Sequence, residues 1–262
     1  MTTTVYDRIA KAVTSDSRWS CILDPYGYKG HILYVDDTGF GKIALREDTV
    51  MVLSGNGFLI EQWKKWLLAS VLDPDAEMPP TYLDGQMPLG ILIIEKSSNK
   101  ILFGVGRNHT IFDHEVNEVL ATFSGSGEAF AAIKWNRSTC AKSAVEHAKG
   151  NDPFSGGSVR YVDFTSGSHD IETGLDTIQE VVNIMRDRGY IMDTTKPGAA
   201  PVSISAQEVA DVRQLLANGS LTPSAPVGHG AKPWDDASKD KLKKAIQHIR
   251  DAEAKRKEEA EV

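Results

Sequence analysis

The chain has 262 residues, 41% of them hydrophobic, which is enough to bury a core and room for one large domain or a medium domain with an appendage. Its 29 basic and 36 acidic side chains leave a formal charge of -7, so no global field draws in phosphate backbones or anionic lipid, and nucleic acid and membrane are set aside as partners. Two cysteines, Cys21 and Cys140, without a C-x-x-C pair or a spaced Cys/His set, argue against a disulfide framework, structural zinc or redox chemistry.

Residues 1–20 read as a polar lead with weak helical spacing at Val5, Ile9 and Val13, a removable leader or docking arm ending in the loop-like Ser15-Asp16-Ser17-Arg18. From Cys21 the texture becomes short apolar runs between turns. Cys21–Leu23, His31–Val35, Lys42–Leu45 and Thr49–Leu53 are four predicted strands, separated by Pro25-Tyr26-Gly27 and Asp37-Thr38-Gly39. Phe58–Leu72 has a helical period, and the proline-bearing stretch Asp73–Met87 connects it to a hairpin of Gly90–Lys96 and Ile101–Val105. A strand at Val119–Phe123, a helix over Glu128–Ala148 weakened at Asn136–Thr139, and a strand at Ser158–Phe164 follow.

Two runs of strands, each followed by a helix, predict an α+β fold: a four-layer αββα sandwich of two antiparallel sheets between helices, over residues 21–170. Residues 171–262 read as a helical tail: a helix at Gly174–Arg188, a linker at Lys196–Pro201, a short helix opened by Ser205, a second linker at Gly219–Lys232, and a charged helix at Asp236–Glu259. That last helix has a thin apolar line at Leu242, Ile246 and Ile249, suited to lying on its own domain or to binding a partner protein. With no basic flank before an apolar core at the N-terminus, the default location is cytoplasmic. The cluster Asn108-His109-Thr110-Ile111-Phe112-Asp113-His114-Glu115 fits no familiar ligand spacing, and neither a metal nor a cofactor is expected.

The segment Cys21 to Lys42 resembles the first hairpin of proteasome β subunits, N-terminal-nucleophile (Ntn) hydrolases: a nucleophile opening a strand, a glycine-bearing turn, an apolar strand, then an Asp and a Lys. Gly125-Ser126-Gly127 before a helix and Asp152-Pro153-Phe154-Ser155-Gly156-Gly157 before a strand are similar to two further signatures of that family, in the correct order. The resemblance covers a little over half of the chain.

It implies cleavage of an amide or peptide substrate by Cys21 after loss of residues 1–20, with the freed α-amine of Cys21 as base. Lys42 would favour the thiolate, Asp37 would hold Lys42, and Ser126, Asp152 and Ser155 would form a hydrogen-bonded bed under the amine. Gly55, in Ser54-Gly55-Asn56-Gly57, would donate its N–H to the oxyanion. Autoprocessing and a homo-oligomer are further implications. Read without the resemblance, Cys21 is a small buried hydrophobe, Asp37 a turn residue beside Gly39, and Lys42 an exposed strand charge. The same fold without catalysis would be a scaffold whose tail recruits partners. Thr2 in Thr2-Thr3-Thr4-Val5 also resembles a mature proteasome start, but lies too far from Asp37, and Val5–Val13 reads as helix, so Cys21 is preferred.

Overall fold

The computed structural model of the chain describes residues 2–73, 77–83, 89–106, 109–113, 115–228 and 234–260. In chain order the elements are β1 (Thr4–Asp7), β2 (Ala12–Ser15), β3 (Trp19–Ile22), β4 (His31–Val35), β5 (Ile43–Arg46), β6 (Thr49–Asn56), α1 (Gly57–Leu67), β7 (Gly90–Glu95) and β8 (Lys100–Val105). There follow β9 (His109–Asp113), β10 (Glu118–Ser124), α2 (Glu128–Ser138), α3 (Ala141–Lys149), β11 (Arg160–Asp163), α4 (Ile178–Arg188) and β12 (Tyr190–Asp193). The last are β13 (Val202–Ser203), α5 (Ala210–Ala217), β14 (Ser224–Ala225) and α6 (Asp236–Ala260).

The strands form two antiparallel sheets. One runs β11-β2-β1-β10-β9; the other runs β13-β12-β4-β3-β14-β6-β7-β8, with β5 paired to β6. Side chains alternate across each strand and so divide the core into layers. Tyr6, Val13 and Val162 of the smaller sheet meet Ile43, Val50, Val52, Leu92 and Ile94 of the larger. On the far side of the smaller sheet, Val5, Ala121 and Phe123 pack on Ala131, Trp135, Ala144 and Val145 of α2 and α3. On the far side of the larger sheet, Leu33, Met51, Leu53 and Ile93 share one core with Trp63 of α1, Val181 and Met185 of α4, Val212 of α5, and Leu242 and Ile246 of α6. The order is helix, sheet, sheet, helix, the expected α+β architecture.

The first twenty residues are not a detached lead. They form the central hairpin of the smaller sheet, with Val5 opposite Thr14 and Tyr6 opposite Val13. The helical reading failed because Val5 and Val13 face opposite layers, while Ile9 sits 57% exposed in the turn between their strands. Asp7 Oδ1 accepts from Ala10 N at 2.9 Å there, and Lys11 takes a left-handed φ of 51°, so a polar turn interrupts what looked like one period.

Residues beyond 170 are likewise part of the larger core. α4 opens with a capping box between Thr177 and Glu180, and β12 pairs with β4. The apolar line Leu242, Ile246, Ile249 of α6 is buried on its own chain, and Arg46 holds Glu253 at 2.7 Å. The single helix expected at Glu128–Ala148 is two, parted by Thr139 at φ 46°. No helix among the described residues is long and apolar enough to cross a membrane.

Candidate active site

The site lies where the N-terminal segment enters β1, between the end of β2 and the start of β5. Asp16 follows β2 directly, and its N–H donates to Thr3 O at 3.1 Å, which fixes its carboxylate beside the first residues of the chain. Its Oδ1 accepts from Thr3 N at 3.0 Å, from Lys42 Nζ at 2.9 Å and from the Thr2 hydroxyl; its Oδ2 accepts from Gly156 N at 3.0 Å. Lys42 Nζ also donates to Thr2 Oγ1 at 2.9 Å and to Asp16 O at 3.1 Å. The Lys42 and Asp16 side chains are fully buried. An ion pair this deep holds only because each group's remaining valences are met, and here they are met by Thr2 and by backbone.

The loop that carries Lys42 is itself pinned. Trp19 Nε1 donates to Phe40 O at 2.8 Å, Lys64 Nζ to Gly41 O at 3.0 Å, and Gly39 N to Glu172 Oε1 at 3.1 Å. Burial pushes the Lys64 ammonium down to about 8 and raises the Glu172 carboxyl. Lys42 O accepts from Leu53 N at 2.9 Å, tying the lysine to β6.

Across Thr2 lies a second polar group. Asp152 Oδ2 accepts from Ser126 Oγ at 2.5 Å and from Ser155 Oγ at 2.7 Å, and Ser155 Oγ stands 2.7 Å from Thr3 Oγ1. The glycines flanking Ser126 let the N-terminal segment come close. A Cβ on Gly125, at φ 91°, would sit 1.9 Å from Thr2 O, and one on Gly127 would sit 2.0 Å from Thr3 Oγ1. Gly55, at φ 129°, ends β6 beside Asn56, whose side chain caps α1 by accepting from Phe58 N at 2.9 Å.

Lys42, Ser126, Asp152 and Ser155 are thus brought together, with Gly55 on the strand next to Lys42. Cys21 and Asp37 do not join them. Cys21 is 3% exposed on β3 within the larger core, its Sγ 3.7 Å from Met185 Sδ, and burial pushes its thiol up to about 12. Asp37 takes a left-handed φ of 52° and accepts from Ser17 Oγ at 2.8 Å, Ser158 N at 3.1 Å and Arg160 at 3.0 Å. Burial opposes its ionised form, but those hydrogen bonds and the Arg160 charge outweigh it and hold the carboxyl below its usual range. The residue beside Lys42 is Asp16, and the side chain between them is Thr2.

Sequence reasoning missed Asp16 and set Thr2 aside. The signal was the alternation Thr4-Val5-Tyr6 and Val13-Thr14-Ser15, two short strands around a polar turn, which makes Thr2 and Asp16 neighbours fourteen positions apart. Of the histidine and acid cluster at 108–115, Asn108 and His114 lie outside the described residues, as do parts of the loop Asp73–Met87 and of the linker Gly219–Lys232. His109 Nδ1 stands 3.4 Å from Glu128 Oε1. Among the described residues no group of three metal-ligating side chains gathers. Comparison with protein-family models, with curated proteins and with solved structures finds no match to this chain.

Proposed function

We propose that this chain is an Ntn hydrolase acting on an amide or peptide bond, with Thr2 rather than Cys21 as the nucleophile once Thr2 is the first residue. The observation that carries the reading is the Lys42 Nζ contact to Thr2 Oγ1 at 2.9 Å inside a fully buried ion pair with Asp16. A buried cation on a hydroxyl oxygen favours the alkoxide that attack requires.

Asp16 Oδ1 accepts from the Thr2 hydroxyl, but that oxygen is also held by Lys42 Nζ and Thr3 N, and in this reading the base is the α-amine of the first residue. The amine takes the Oγ1 proton as Oγ1 bonds to the substrate carbonyl carbon. The carbonyl π electrons move to oxygen, which Gly55 N–H would stabilise at the strand–helix junction. Collapse expels the amine half of the substrate with the proton and leaves an ester on Thr2. Water, deprotonated by the same α-amine, then releases the acid and restores Oγ1–H. Ser126, Asp152 and Ser155 orient the amine, and Asp16 holds Lys42.

Intact mass of the purified protein, read together with hydrolysis of fluorogenic peptides, tests the reading. An active protein beginning at Thr2, silenced by Thr2→Ala and retained by Thr2→Ser, is the expected result. Activity in a preparation that keeps residues ahead of Thr2, or that survives Thr2→Ala, would overturn it.

A further inference from the structure

The larger sheet contains a strand that does not belong to its own neighbourhood in sequence. Among the described residues β3 and β6 are joined only through β14, a two-residue strand from the far end of the chain. Ser224 stands opposite both Ser20 and Asn56, and Ala225 opposite Gly55. Pro223 O accepts from Gly57 N at 3.0 Å, and Ser224 Oγ donates to Ser20 O at 3.2 Å. Without β14 the sheet would have a strand-wide slot whose two walls present backbone groups to an extended chain, the geometry of peptide recognition by strand addition.

Both walls lead to Thr2. β3 begins three residues after Asp16, and Leu53 of β6, two residues before Gly55, is bonded to the Lys42 carbonyl. Because β14 is antiparallel to both, the chain after Ala225 runs back toward Asp16 along one wall and toward Leu53 along the other. Val227 keeps that direction, its Cγ1 lying 3.1 Å from where a Cβ on Gly90 would sit, and Gly90 pairs with Ser54. Residues 225–228 are buried, and Thr2 itself is 0% exposed.

The pairing is short and weakly built. Pro223 and Pro226 flank it and can donate no N–H, an arrangement unsuited to the middle of a permanent sheet. The ends, by contrast, are anchored: Leu221 is 4% exposed, and Trp234 is packed on Trp63 and Phe103. A lightly held strand between firm anchors suits an occupant that leaves and returns.

We propose that the segment Ser224–Gly228 is a tethered occupant of the slot that an extended peptide substrate would take, and that it keeps the Thr2 site closed until it is withdrawn. The inference rests on the reading of Thr2 as nucleophile.

Two variants, each purified with Thr2 as its first residue and otherwise whole, open the slot: Ala225→Arg, whose side chain has no room at a buried position, and a chain with a specific protease site at the exposed turn Asn218-Gly219-Ser220, cut after folding. Hydrogen exchange should show the amides of Ser20 and of Gly57, whose N–H donates to Pro223 O, losing protection while those of β6 facing β7 keep it. A peptide boronate should then label the opened chains about tenfold or more faster than the parent, because the competent population rises. A β-lactone, which carries no peptide, reports the nucleophile alone and should acylate Thr2 in the opened chains. Lactone acylation of Thr2 with equal boronate rates in parent and opened chains overturns the inference and leaves the nucleophile standing. Failure of both reagents on the opened chains overturns the nucleophile and the inference with it.

Discussion

Thr2 leads into the β1–β2 hairpin and Cys21 lies in the next, β3–β4, each followed by an acid, Asp16 in one case and Asp36-Asp37 in the other. The first hairpin lies in the smaller sheet and delivers its hydroxyl and its carboxylate to Lys42. The second lies in the larger sheet and turns its thiol into the hydrophobic core, while Asp37 goes to the rim with Arg160. Two segments with the same order of residue types therefore meet opposite environments, and what separates them is which one reaches the single lysine loop. A nucleophile is defined by its neighbours in space more than by its spacing in sequence.

The largest expected effect that would break this comparison is catalytic. Thr2→Ala should lower peptide hydrolysis by about a thousandfold or more, as loss of a nucleophile does, while Cys21→Ser should change it less than about twofold. The reverse ranking in a fluorogenic assay would return the role to Cys21.

Next comes stability. Asp16→Ala leaves Lys42 charged and buried without its partner and should cost about 3–5 kcal/mol, whereas Asp37→Asn, at a partly exposed carboxylate, should cost less than about 1 kcal/mol. Urea unfolding of the two variants checks the contrast. If Asp37 were the true partner of Lys42, the two costs would exchange places.

The pH dependence sharpens the account of the lysine loop. Lys64 has a folded value lowered to about 8 from 10.5, so the unfolded chain binds the proton more tightly. Stability from this group is then fully present above about 10.5 and is lost as pH falls through about 8, a span worth about 3 kcal/mol. Lys64→Met should flatten the rise in unfolding midpoint between pH 8 and 10 relative to the parent, and an unchanged slope would show that Lys64 is solvated.

A smaller effect concerns the glycine before Ser126. Gly125→Ala combines a left-handed φ of 91° with a Cβ 1.9 Å from Thr2 O, and should destabilise by about 1–3 kcal/mol while displacing the Thr2 segment. The smallest is chemical: with its thiol raised to about 12 by burial, Cys21 should resist alkylation in the folded protein and react only after denaturation, as mass spectrometry of iodoacetamide-treated protein would read.

Much of the scaffold was legible. Strands β4 to β8, the helix over Phe58–Leu72 and the helix over Gly174–Arg188 follow from period, a signal that acts within a few residues, whereas the cap expected at Ser205 is not made. Ser126, Asp152, Ser155 and Lys42 were named together only through the resemblance of their motifs to proteasome β subunits, since alone the glycine motifs read as turns and Lys42 as a surface charge; the structure sets Ser126 and Ser155 on Asp152, and Lys42 on Thr2. The hairpin at Thr4–Ser15 was not, since four-residue strands with inward and outward apolar residues mimic a weak helical period. β14 was not legible either: two residues between prolines carry no strand signal, and only the unfilled edges of β3 and β6 give them one.

By itself the sequence determined the layered α+β plan, through alternation within strands and amphipathic periods within helices, and it determined which residue types could do chemistry. The tertiary structure alone decided which hydroxyl meets Lys42, that the first residues and the last helices share the same body, and that a distant segment lies between β3 and β6. Those three are long-range pairings. Their energy comes from burying ion pairs and completing sheet edges between segments far apart in the chain, and no local pattern records such a contact before the chain has folded.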